Sequence, residues 1–170
     1  MGYVSDKHFS QFISPFAYGK NAGTWTPTIA SNVVKDVRSQ ADASFTLLIP
    51  ITIPSNESGL KGARLKSIEI FYAIGTAAAD DFATVAIDKV TLGVDDTAAT
   101  GASVPHTIDA GHDTDSERLA VDTDHVMTLT ITTPFWIDDN EVVWVSLIVD
   151  CHANTVFTNF GAVAHFDLRT

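Results

Sequence analysis

The stretch FTLLIPITIP at residues 45–54 alternates without a break. Phe45, Leu47, Ile49, Ile51 and Ile53 fall on one side, and Thr46, Leu48, Pro50, Thr52 and Pro54 on the other. Successive strand side chains point to opposite faces, whereas a helix repeats every 3.6 residues, so this stretch predicts a half-buried β-strand. Outward from it, similar runs predict strands near 25–30, 33–38, 43–53, 64–74, 82–92, 104–109, 125–133, 142–151 and 156–168. Between them lie PSNESG (54–59), GTAAADD (75–81), GVDDTAATGA (93–102) and DDNE (138–141), rich in the residues that favour turns. Strands separated by turns, with no amphipathic helix among them, predict an antiparallel sandwich or barrel. Their number and length fill two packed sheets, so the expectation is an all-β, antiparallel β-sandwich, jelly-roll-like.

Helix could intrude twice. Val33, Val34 and Val37 stand at helical spacing within Ser31 to Gln40, and Ser116 to Ala120 could form one turn. β-Branched valine is a mediocre helix former, so the first reads as strand and the second as a turn in a long loop.

Residues 1–23 read as an N-terminal arm and residues 24–170 as the sandwich domain. The arm lacks clean periodicity but carries Tyr3, Phe9, Phe12, Phe16 and Tyr18, and disordered tails are poor in aromatics. It is expected either to lie extended on a surface, its own or a neighbour's, or to be a strand and loop closing the sandwich.

Face assignment exposes an imbalance. In the strand 142–151, Val143, Val145, Leu147, Val149 and Cys151 form a core side, yet the other side carries Val142, Trp144, Ser146 and Ile148. A strand apolar on both faces is covered on both, so the arm, a long loop or another subunit is expected over the second. In 64–74, Ile68, Ile70, Tyr72 and Ile74 read as inner, with Leu65, Phe71 and Ala73 sharing the outer side with Ser67 and Glu69. His125, Met127, Leu129 and Ile131 oppose Val126, Thr128, Thr130 and Thr132, a pattern with one wet face.

Charge and composition narrow the partners. The chain has 170 residues, 45% hydrophobic content and a net charge of −11, enough for one domain with a sizeable core. Residues 80–124 hold eleven of the acidic residues against Lys89 and Arg118. Such a surface repels phosphate backbones and anionic lipid, so neither nucleic acid nor membrane is an expected partner, and a basic patch on a protein suits it better. The single Cys151 forms no internal disulfide. The opening MGYVSDKHFSQF lacks the basic and apolar regions of a secretion signal, and no apolar run approaches the roughly 18 residues that span a bilayer, so a soluble protein outside the general export route is expected.

Candidate chemistry is sparse. Asp113 with Asp115, and Asp122 with Asp124, could present oxygens to calcium, but the ordered loop with a bidentate Glu is missing and a solvated loop is the plainer reading. His106, His112, His125, His152 and His165 show no zinc-site spacing. There is no GxSxG elbow, and paired carboxylates are unavoidable in so acidic a chain. Trp25, Trp136 and Trp144 could stack on sugars, Trp136 best of the three, against the plainer reading of core or interface packing. Asn56-Glu57-Ser58 matches a glycosylation acceptor only in its three letters. No enzyme, cofactor or metal is expected.

The segments GTWTPTIAS (23–31), ADASFTLLIPITIPSN (41–56), LKSIEIFYAIGTAAADDFATVAI (65–87) and VFTNFGAVAHFDL (156–168) resemble, in texture and strand order, the small β-sandwich virion structural proteins of tailed bacteriophages. The resemblance implies a virion component with a capsid-decorating, cementing or accessory role, often a symmetric oligomer. The expectation is a non-enzymatic protein that self-associates, as a trimer, and docks on major capsid or other virion proteins. Tyr3, Phe9, Phe12, Phe16, Tyr18, Val142, Trp144 and Ile148 are its expected interface residues. The alternative is a carbohydrate-binding or receptor-binding β-sandwich module.

Overall fold

A computed structural model describes residues 6–30, 33–52, 63–93 and 97–169. Two antiparallel sheets pack face to face. The strands are β1 (Asp6–Ile13), β2 (Gly19–Lys20), β3 (Trp25–Ala30), β4 (Val33–Arg38), β5 (Ala43–Ile51), β6 (Ala63–Gly75), β7 (Asp81–Thr91), β8 (Thr100–Ser103), β9 (His106–Ile108), β10 (Asp122–Trp136), β11 (Glu141–Cys151) and β12 (Val156–Arg169). The first sheet runs β3-β4-β12-β6-β10-β9, with β1 also on β12; the second runs β2-β5-β11-β7-β8.

The connectivity is that of a jelly roll. β4 pairs with β12, β5 with β11, β6 with β10 and β7 with β8, a nest of antiparallel pairs. Folding that ribbon over itself sets β6 against β12 and β7 against β11, so β4, β5, β6 and β7 alternate between sheets. The expected sandwich and its jelly-roll character are therefore both present. Between β8 and β9 the chain crosses from one sheet to the other at Val104 and Pro105, where Val104 N–H donates to Ile87 and Pro105 O accepts from Thr132.

Of the two readings of the N-terminal arm, the described part is the strand that closes the sandwich. β1 pairs with β12 along its whole length, from Asp6 opposite Arg169 to Ile13 opposite Ala162. A 3-10 turn at Pro15–Ala17, capped by Ser14, then carries the chain to β2 on the second sheet, burying Ile13, Pro15 and Tyr18 on the way. Tyr3 lies outside the described residues, as do Ile53 and the Asn56-Glu57-Ser58 triplet. The segment 116–120, read as a turn, contains part of a one-turn helix, α1 (Asp115–Arg118), whose start is held by Thr114 N–H donating to Glu117.

The core follows the alternation. Phe45, Leu47, Ile49 and Ile51 of β5, and Val143, Val145, Leu147, Val149 and Cys151 of β11, are all buried, as are His125, Met127, Leu129 and Ile131 of β10. Phe45, Phe157 and Trp25 meet edge to face, and Tyr72 stacks on Phe157 at 5.5 Å. Leu65, read as outward, is instead fully buried. Register shifts on both sides of β6 put an irregularity at Lys66, so the alternation changes phase and Ala63 and Leu65 join Ile68 and Ile70 inside.

Candidate docking faces

The outer face of the first sheet carries an aromatic groove, and a bulge builds it. Asn159 pairs with Tyr72 and Gly161 with Phe71, leaving Phe160 as the extra residue of β12. Gly161 has φ of +116°, and a Cβ there would stand 2.7 Å from Ile13 O and 2.8 Å from the Phe12 ring. Only glycine admits both the backbone and the ring. Phe12 therefore lies over β12 beside Phe160, and with Phe71, Val126 and Val163 lines a groove of about 480 Å³, with Thr123 and Asp124 among its polar lining. Phe12 remains 57% exposed. Phe9, three residues earlier and so on the other side of β1, stacks on Phe166 at 4.9 Å and is half-buried.

The second sheet also has an apolar outer face. Val142 and Ile148 of β11 and Leu48 of β5 are each just over 40% exposed, and Trp144 is half-buried between Pro50 and Asp88, its partners across the two ladders. A cover was expected over this face from the arm, a loop or another subunit. The described arm does not supply it: β1 lies in the opposite sheet, and β2 pairs only with Leu47 and Leu48 at the edge. Tyr18, expected at an interface, is in the core at 6% exposure, its hydroxyl pushed up by burial. Phe16 stays exposed at the 3-10 turn.

Polar clusters flank the aromatic groove. Towards the start of β6, Asp167 is buried and accepts hydrogen bonds from Arg64, at 2.6 Å, and from His8, with Lys66 at 3.4 Å. Beside it, Ser10 Oγ meets His165 Nδ1 at 2.8 Å, and His165 Nε2 stands 3.5 Å from Glu69. Sequence reading missed this serine–histidine–carboxylate line, because its members come from three strands and meet only through the register of β1, β12 and β6. The line borders a solvent-open pocket of about 380 Å³ with Ser10 exposed, whereas catalytic stabilisation of charge draws its strength from exclusion of water.

At the other end, histidines form a chain. Asp109 Oδ1 meets His112 Nδ1 at 2.9 Å, His112 Nε2 meets His125 Nδ1 at 3.2 Å, and His125 Nε2 meets Ala120 O at 3.0 Å. Both ends are acceptors, so filling all three bonds requires three ring protons, one more than two neutral imidazoles carry. His125 also stacks on Tyr72 at 4.5 Å, and the Tyr72 hydroxyl, pushed up by burial, donates to Arg118 O. Arg118 in turn donates to Phe82 O and His112 O. The network pins the loop holding α1 against β6 and β10. Neither His106, which bonds Val104 O, nor exposed His152 joins it.

The acidic loop residues serve the backbone. Asp115 accepts from Phe82 N–H, Asp109 from Thr128 and Gly111 N–H, and Asp122 from Thr123 and Asp124 N–H. Among the described residues no cluster of three or more His, Cys, Asp or Glu is placed to hold a metal ion. Cys151 is buried, which pushes its thiol up, Arg38 acting in the opposite sense. Of the tryptophans, Trp25 is packed against Phe45 and Phe157, and Trp136 has the Arg64 guanidinium over its ring at 5.7 Å.

No described helix is long and apolar enough to cross a membrane. In comparison with known proteins, no family model matches the chain and no curated protein matches it.

Proposed function

We propose that this chain is a non-enzymatic virion structural protein, a jelly roll that associates with copies of itself and docks on a viral lattice as a decoration, cement or accessory component. One observation carries the reading: both sheets turn large apolar side chains outward, Phe12, Phe71, Val126 and Phe160 on one and Leu48, Val142, Trp144 and Ile148 on the other. Contiguous apolar patches on a lone soluble protein mark places where something else docks. Two such faces suit a building block that touches a neighbour through one and a lattice through the other, and repeated contacts convert modest affinities into stable attachment. The buried polar network fits this reading too, because Asp109, His112, His125 and Asp115 are spent on backbone and on one another.

Native mass spectrometry across a concentration series tests self-association, with a multiple of the 18.3 kDa protomer expected. Antibody raised against the purified protein is expected to label intact virus particles. A protein that stays at 18.3 kDa and is absent from particles overturns the proposal.

A further inference from the structure

The β3–β4 hairpin stands off the edge of the sandwich. β4 and β1 lie on the same side of β12, β4 against Phe157 to Asn159 and β1 against Ala162 to Arg169. Asp36 is the last β4 residue paired with β12; beyond it Lys35, Val34 and Val33 pair only with Thr28, Ile29 and Ala30 of β3. Towards the far end of the two strands the described side chains are apolar and unsheltered, with Ile29 77% exposed and Val33 and Val34 near 40%. From Thr24 to Lys35 the only charge is Lys35, and it enters none of the described ion pairs.

The aromatic groove has the complementary character. Its lining is almost wholly apolar, and Asp124 at its rim neighbours Asp122, with neither carboxylate in a described ion pair with Lys or Arg. The protomer's own hairpin contributes no lining residue. The molecule therefore carries an apolar hairpin with one cation and an apolar groove with two carboxylates, and neither meets its counterpart among the described residues.

Resting on the self-association reading above, we propose that the β3–β4 hairpin of one copy seats in the Phe12, Phe71, Phe160 groove of a second copy, with Lys35 reaching Asp122 and Asp124. The two patches are unlike, so the contact is heterologous: each copy offers a hairpin to one neighbour and a groove to the other, and the series closes into a ring where the rotation permits. Apolar burial supplies the attraction and the charge pair fixes orientation.

The test uses the full chain. Ile29→Asp and Val126→Asp, both at exposed positions, are expected to raise the concentration needed for self-association roughly tenfold or more while far-UV circular dichroism stays unchanged. Lys35→Asp and Asp124→Lys each weaken assembly, and the double charge swap restores it. Separately purified Ile29→Cys and Val126→Cys chains form a disulfide-linked pair when mixed under oxidation, and neither does so alone. If the wild-type chain assembles but both Asp variants assemble equally well and the mixture gives no cross-link, the hairpin contact is overturned and association through another face stands. A wild-type chain that is monomeric at every concentration overturns both readings.

Discussion

Arg64 and Asp167 face each other directly across the β6–β12 ladder, and the guanidinium donates to the carboxylate at 2.6 Å. Asp167 is almost fully buried, whereas Arg64, Lys66 and His8 reach solvent. In Asp167→Asn the cations can turn outward, so the loss is that of charge-assisted hydrogen bonds and not of a stranded ion pair. The variant is expected to lose about 2 kcal/mol, read as a melting temperature lower by roughly 5 °C.

Acid should act through the same site and two others. Burial pushes the Asp167, Asp109 and Glu141 carboxyls up, but hydrogen bonds and cations outweigh it and hold all three below their ordinary values: Arg64, His8 and Lys66 for Asp167, His112 and the Thr128 N–H for Asp109, and Lys89 with the Asp138 N–H for Glu141. A carboxyl depressed by folding contributes stability that is complete above its unfolded value and lost as pH falls through its folded one. The urea midpoint is therefore expected to drop as pH goes below the ordinary 3.8 to 4.5 range. That decline should be shallower in Asp167→Asn.

Gly161→Ala asks the bulge to accept a Cβ at a φ of +116°, 2.7 Å from a backbone oxygen that cannot swing aside. A loss of about 2 kcal/mol or more is expected, measured by chemical denaturation. Phe12 would also be displaced from the groove, so assembly should weaken beyond what Gly161's remoteness from charge would suggest.

Neighbouring positions on β11 should respond in opposite ways. Leu147 is buried and Ile148 is 42% exposed. Leu147→Ala is expected to cost about 2–5 kcal/mol by opening a cavity. Ile148→Ala should leave the monomer within about 0.5 kcal/mol and register instead in attachment to particles.

Much of this architecture was legible because alternation maps directly onto burial where a ladder is regular. The β5 and β11 assignments hold for every described residue, since a slip of one position would have exposed every core side chain. Legibility failed at irregularities. Leu65 was misplaced by the phase change at Lys66, and the role of Phe160 was hidden because period-2 counting through 156–168 does not anticipate that Phe160 is an extra, unpaired residue. β8 was hidden in a segment read as a turn, its Thr-Gly-Ala-Ser carrying little strand signal, and β1 has polar and aromatic residues in no strict order. The groove itself joins β1, β6, β10 and β12, and no local pattern records which strands will be neighbours.

That β1 zips onto β12 also governs the order of assembly in time. His8 and Asp167 are 159 positions apart, so their pairing waits until almost the whole chain has been synthesised. Contacts so distant in sequence form slowly, and until β12 is made, β1 and the edge of β6 that it will occupy stay unpaired and open to any neighbour. A chain interrupted shortly before Val156 could form most of the second sheet but would leave the first without its central strand. Ribosome-bound intermediates of this protein should thus be prone to pairing with one another, a hazard that ends only when the last strand is captured by the first.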